Sequence, residues 1–169
     1  MARLSDAQPT GEVADLLRAR RGGDLTPLDL ALLHSAPLAE GWNVLLGAVR
    51  SRFELAAALR ELAICRIAVL NDADYEWRAH APLLVAAGFP EAQLDSLRGT
   101  DVPSGLPAQQ RTVLAYTDAM TRSLRVPDDL FEEVRTALGE RGAVELTATI
   151  AAYNMVSRFL VALEIGERG

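Results

Sequence analysis

The stretch ELAICRIAVLNDADYEWRAHAPLLVAAG, Glu61 to Gly88, decides the fold. Its first part belongs to a run from about Glu54 through Leu70, in which Leu55, Ala58, Leu59, Leu62, Ile67 and Leu70 recur at helical spacing. Asn71 or Asp72 then fits the cap of a second helix, DYEWRAHAPLLVAAG, which Gly88 closes. If residues 73 to 87 are helical, Asp72, Glu76 and His80 fall at i, i+4 and i+8 on one face. The Glu76 carboxylate then sits one turn from the His80 imidazole, close enough to share a proton with it. A nearby carboxylate orients a histidine and raises its pKa, which suits acid–base work near neutral pH. A solvated Glu–His pair on a helix surface would carry the same spacing. Tyr75 and Trp77 flank Glu76, and two large aromatics beside an acid and a histidine suit either an apolar-walled pocket or core packing.

Outward from this stretch, the signals are helical throughout. EVADLLRARR ends at Gly22-Gly23, and Thr26-Pro27 supplies a cap followed by proline at the first position of a helix running to about His34. Ser35 caps PLAEGWNVLLGAVRSRF. Beyond Gly88, Pro90 opens a short EAQLDSLR helix, GTDVPSGLP is a surface loop, and PAQQRTVLAYTDAMTRSL follows. Pro127-Asp128 starts DDLFEEVRTALG, and GAVELTATIAAYNMVSRFLVALEIG closes the chain. The expectation is an all-α protein of about eight helices in a single domain over residues 1–169, with a core at about 28–165 and an N-terminal extension at 1–25. The last helix reads as apolar around most of its circumference, at Val144, Leu146, Ile150, Ala151, Val156, Phe159, Leu160, Val161, Leu163 and Ile165. A helix of that kind needs cover on several sides, as a central core element or through self-association.

Composition removes several functions. A net charge of -6 disfavours nucleic acid as a partner. All 17 basic residues are arginine, so no lysine can form a Schiff base. A single cysteine, Cys65, rules out an internal disulfide or dithiol, and with two histidines the one metal arrangement left open is Glu61, Glu76 and His80. No metal and no cofactor is expected. Lacking an apolar run long enough for a membrane span or a secretory leader, the chain is expected to be cytoplasmic and without membrane partners.

The run from Glu61 to Leu97 resembles the carboxymuconolactone decarboxylase family, which includes the AhpD-like alkylhydroperoxidases. Those proteins place an acidic residue on an apolar helix before a second helix bearing C-x-x-C-x-x-x-H or Y-E-W-x-x-H. Here Tyr75, Glu76, Trp77 and His80 match the second form letter for letter. LLHSAPLAEGW and AAYNMVSRFLVAL resemble the family's flanking helices, with Ala36 departing from the pattern. The resemblance implies an AhpD-like orthogonal helical bundle, oligomeric as a homotrimer or homohexamer, and a cofactor-independent lyase acting on a small carboxylated lactone or related acid. On that basis His80 is the expected acid–base group, Glu76 its orienting partner and Glu61 a second proton carrier. Tyr75, Trp77, Tyr153, Asn154 and Arg158 are the expected substrate contacts, Arg158 holding a carboxylate. The positions matching the cysteine pair hold Ala73 and Glu76, which counts against the family's peroxidase chemistry. A non-catalytic oligomeric binding protein is the remaining alternative. Cys65 is expected to be buried and inert, its thiol raised by Glu61 one turn away, and His34 to be a structural junction.

Overall fold

A computed structural model describes residues 2–166. Every regular element among them is helical: α1 (Glu12–Arg21), α2 (Pro27–Leu32), α3 (Ala36–Ser51), α4 (Ala57–Leu70), α5 (Asp74–Ala86), a 3₁₀ helix (Glu91–Arg98), α6 (Ala108–Arg122) and α7 (Asp128–Ala162). No helix among the described residues is long and apolar enough to cross a membrane. Residue 1 and residues 167–169, the ends of the expected domain, lie outside the described residues.

The described residues form two compact units. One runs up to Phe53 and resumes at Phe159, and the other is Glu54–Arg158. In the first, α1 and α2 pack on α3. The start of α2 follows the sequence closely: Thr26 caps Asp29 and receives its carboxylate in return, with Pro27 at the first position. The buried Asp29 also takes both a 2.8 Å and a 2.9 Å bond from Arg21. His34 is exposed and its Nε2 lies 2.8 Å from the Ser5 carbonyl, a junction contact with the amino-terminal segment. Trp42 tilts against Phe159 at 5.3 Å.

The second unit is built around α4, which packs on α5, α6 and the 3₁₀ helix. From Glu61 to Ala68 every residue of α4 is buried, although the segment contains a glutamate, an arginine and a cysteine. This is the enclosed helix, a role that the apolar pattern assigns to the last one. α7 instead has a broad inner face, with Leu146, Ile150, Tyr153 and Val156 buried, and an outer line on which Val144, Ala151 and Met155 stay exposed. The two helical patterns read at its start are one stretch broken at Gly139, whose φ of 71° lies in the left-handed region that glycine tolerates.

A buried arginine ties this unit together. Arg66 is fully enclosed and spends all five N–H donors. Two go to the Asp118 carboxylate of α6 at 2.6 and 2.7 Å, and three to the carbonyls of Leu97, Gly99 and Thr100 at 2.9, 2.7 and 3.0 Å. The glycine- and proline-rich loop after the 3₁₀ helix is thereby fixed to the core.

Candidate active site

The α4–α5 connection sets the register of the site. α4 ends at Leu70, and Asn71, expected to cap α5, caps the end of α4 instead. Its side-chain amide is drawn to α7, donating to Asn154 Oδ1 at 3.1 Å and Ser157 Oγ at 2.7 Å. Asp72 is exposed and takes a φ of 52°, a left-handed conformation that aspartate accepts better than most residues. It lies before the first turn of α5, so it does not extend the Glu76–His80 face; Ala73 stands at the amino-terminal cap, without a side-chain bond.

Both helices rise equally per residue, so positions equidistant from the turn face one another. Glu61 is ten residues before Asn71 and His80 nine after it. The structure joins them: His80 Nδ1 and Glu61 Oε2 are 2.6 Å apart, with only 5 % and 3 % of the two residues exposed. Burial alone pushes the Glu61 carboxyl up, but the hydrogen bond and charge of His80, followed by those of Arg60, more than offset it and hold it below the usual glutamate value. Glu61 is therefore a carboxylate at neutral pH and accepts only. The proton on Nδ1 is donated to it.

Glu61 thus has the orienting position expected of Glu76. Glu76 is itself buried one turn before His80, near enough to Cys65 to act on it electrostatically. Burial pushes the Cys65 thiol far up, and the charges of Glu61 and then Glu76 push it the same way. The third helix to reach the imidazole is α7: the buried Tyr153 ring meets it edge to face at 5.2 Å and 88°.

The other expected contacts have partners of their own or stand half-buried. Trp77 is half-buried and lines a depression of about 210 Å³ with Ala68, Val69, Asp72, Asp74 and Arg98. The Arg98 guanidinium sits over its ring at 4.5 Å. Tyr75 is also half-buried. Asn154 has no capacity left for a ligand. Its Oδ1 accepts from Asn71 and from Arg158 at 2.6 Å, and its Nδ2 donates to Thr121 Oγ1 and the Ile150 carbonyl, both at 3.0 Å. Arg158 is exposed, bonded through Nη1 to Asn154, and about 140° around the helix from Tyr153. Among the described residues, no group of three or more His, Cys, Asp or Glu is arranged to hold a metal ion.

Residues 36–119, which contain Glu61, Glu76 and His80, match the model of the carboxymuconolactone decarboxylase family. The chain belongs to that family. An uncharacterized peroxidase-related protein from Silicibacter sp. TM1040 shares the fold with a TM-score of 0.81 at 16 % identity, over 97 % of this chain and 90 % of that one. A protein of unknown function from Agrobacterium tumefaciens, described there as a proposed antioxidant defence protein AhpD, gives a TM-score of 0.72 at 22 % identity, over 79 % of this chain and 92 % of that one. No curated protein matches the sequence. The family resemblance read from the Y-E-W-x-x-H helix and the all-α, AhpD-like architecture both hold.

Proposed function

We propose that this member of the family is a carboxy-lyase acting on a small carboxylated lactone or a related acid by general acid–base catalysis. The observation that carries the reading is the 2.6 Å bond between the buried His80 imidazole and Glu61 carboxylate. Loss of carbon dioxide from such a substrate leaves its bonding electrons delocalised into the lactone carbonyl, and a proton must then reach carbon. An imidazolium held by Glu61 supplies that proton from Nε2 and recovers it from solvent, so the balance is one carboxylate and one proton in, one carbon dioxide and one C–H bond out. Glu76 is the second buried carboxyl group beside the reacting centre, and Tyr153 forms part of its wall.

A thiol-peroxidase reading, suggested by the names of the two similar structures, has weaker support. Thiolate is the nucleophile in that chemistry, and here burial pushes the thiol of the single cysteine up, with Glu61 and then Glu76 pushing it the same way. We also propose self-association as a trimer or hexamer, for which the exposed apolar line Val144, Ala151 and Met155 is the support. Light scattering on Met155→Glu tests it, and an unchanged oligomer would remove α7 from the interface.

The lyase reading is tested by following carbon dioxide release across a panel of small carboxylated lactones and related β,γ-unsaturated acids. Turnover of at least one, abolished in His80→Ala and retained in Cys65→Ala, is the expected result. Peroxide consumption that depends on Cys65, with no decarboxylation of any panel member, would overturn it.

A further inference from the structure

We infer that Arg60 is a positioning residue of this site, holding one oxygen of the Glu61 carboxylate so that the other is presented to His80. The inference rests on the acid–base reading of that pair. Arg60 Nε donates to Glu61 Oε1 at 3.2 Å, while Glu61 Oε2 accepts from His80 Nδ1 at 2.6 Å. Each oxygen thus has its own partner, and the carboxylate cannot rotate without losing both.

Neighbouring residues on a helix do not face each other, so an arginine beside a glutamate ordinarily extends into solvent. The Arg60 side chain is folded back instead, with 15 % of its surface exposed, against 4 % for Glu61. The imidazole meets Glu61 from α4 and Tyr153 from α7, Glu76 lies one turn away on its own helix, and Cys65 of α4 lies in the field of both carboxyl groups. Within the chain Arg60–Glu61–His80, Arg60 is the permanent cation. It competes with the imidazolium for the Glu61 charge and so keeps the histidine from becoming too basic to release its proton to substrate. In the same direction, Arg60 adds to His80 in lowering the Glu61 pKa against the upward push of burial.

The experiment is an NMR titration of the imidazoles in the full chain. There are two histidines, and the exposed His34, bonded to the Ser5 carbonyl, serves as the internal reference. Arg60→Gln is expected to raise the His80 midpoint by on the order of half a pH unit or more, because a positive charge is removed and Glu61 is left wholly to the imidazolium. Arg60→Lys, which keeps the charge, is expected to move it less. Glu61→Gln is expected to lower it, since the buried imidazolium loses its carboxylate. If Arg60→Gln does not fold, Arg60→Met serves in its place, and loss of fold in both would assign Arg60 to stability and overturn the inference. A His80 midpoint that moves in Glu61→Gln but not in the Arg60 variants would overturn the role of Arg60 alone. A midpoint indifferent to Glu61→Gln would overturn the pair, and with it the lyase reading.

Discussion

Helix α4 carries two enclosed charges five residues apart, Arg66 and Glu61, and their surroundings put them to opposite uses. Arg66 meets a carboxylate and three carbonyls with every donor engaged. With each of its donors matched to an acceptor, the guanidinium serves to fix a loop and α6 to the core. Glu61 meets a histidine, a group whose charge changes near neutral pH. The same burial that makes the first cluster rigid makes the second responsive, because in a low-dielectric site the position of one proton alters the energy of every neighbour. A buried charge on an apolar helix is thus not by itself a sign of function; the titration range of its partner makes the difference.

That contrast can be broken most severely at Arg66. Arg66→Met takes its two bonds from Asp118, which keeps Arg122 at 3.5 Å, and its donors from the Leu97 and Gly99 carbonyls, while the Thr100 carbonyl keeps Arg122 at 2.7 Å; the loss should cost about 3–5 kcal/mol in urea unfolding. Arg66→Met with Asp118→Leu should cost less than the single change. Equal stability of Arg66→Met and the parent would show the cluster to be dispensable.

His80→Ala should leave a folded chain by circular dichroism while turnover falls about 10²- to 10⁴-fold. Loss of fold in this variant would place His80 with Arg66, on the structural side of the comparison.

The acid limb of the stability curve sharpens the distinction further. The folded-state pKa of Glu61 is lowered, so the stability it contributes is fully present above its ordinary value of 4.5 and is lost as pH falls through the lower folded value. In Glu61→Gln, unfolding free energy should decline less steeply below that point. Part of the decline should survive, because Asp29, raised by burial but lowered further by Arg21 and Thr26, loses its own contribution in the same acid region. An unchanged slope would mean that the His80 bond adds nothing to Glu61 in the folded chain.

The smallest effect is expected at Cys65, which lies between the two charges on α4. Cys65→Ala should change stability by about 1 kcal/mol and leave turnover and peroxide consumption as they are. A drop in peroxide consumption would favour a thiol role over the acid–base one.

Local patterns were legible wherever the stabilising partner is close in sequence. Thr26, Pro27 and Asp29 form their cap within four residues, Gly22 ends α1 with a φ of 72°, and Pro90 and Pro127 stand immediately before the helices assigned to them. His80 and Glu76 were visible because one turn of helix separates them, and the buried state of Cys65 followed from its apolar run. Readings went astray where a distant element competes for a side chain. Asn71 leaves the capping role because α7 takes its amide, and Asn154 is consumed by Asn71, Arg158, Thr121 and Ile150 rather than kept for a ligand. Trp77 rests against Arg98 on a shallow surface, and Tyr153 supplies the aromatic neighbour of His80.

Periodicity and turn residues were enough to show that the chain is helical, where most of its helices begin, and that an imidazole and two carboxyl groups lie on adjacent helices. Periodicity and turn chemistry are local, and the energies behind them act over one turn. The bond between the imidazole Nδ1 and Glu61 comes from the tertiary structure. Glu76 is four residues from His80 and Glu61 nineteen, yet the fold brings Glu61 to 2.6 Å of Nδ1, because α4 and α5 pack on each other across a short turn and so pair residues by their distance from it and not by their separation along the chain.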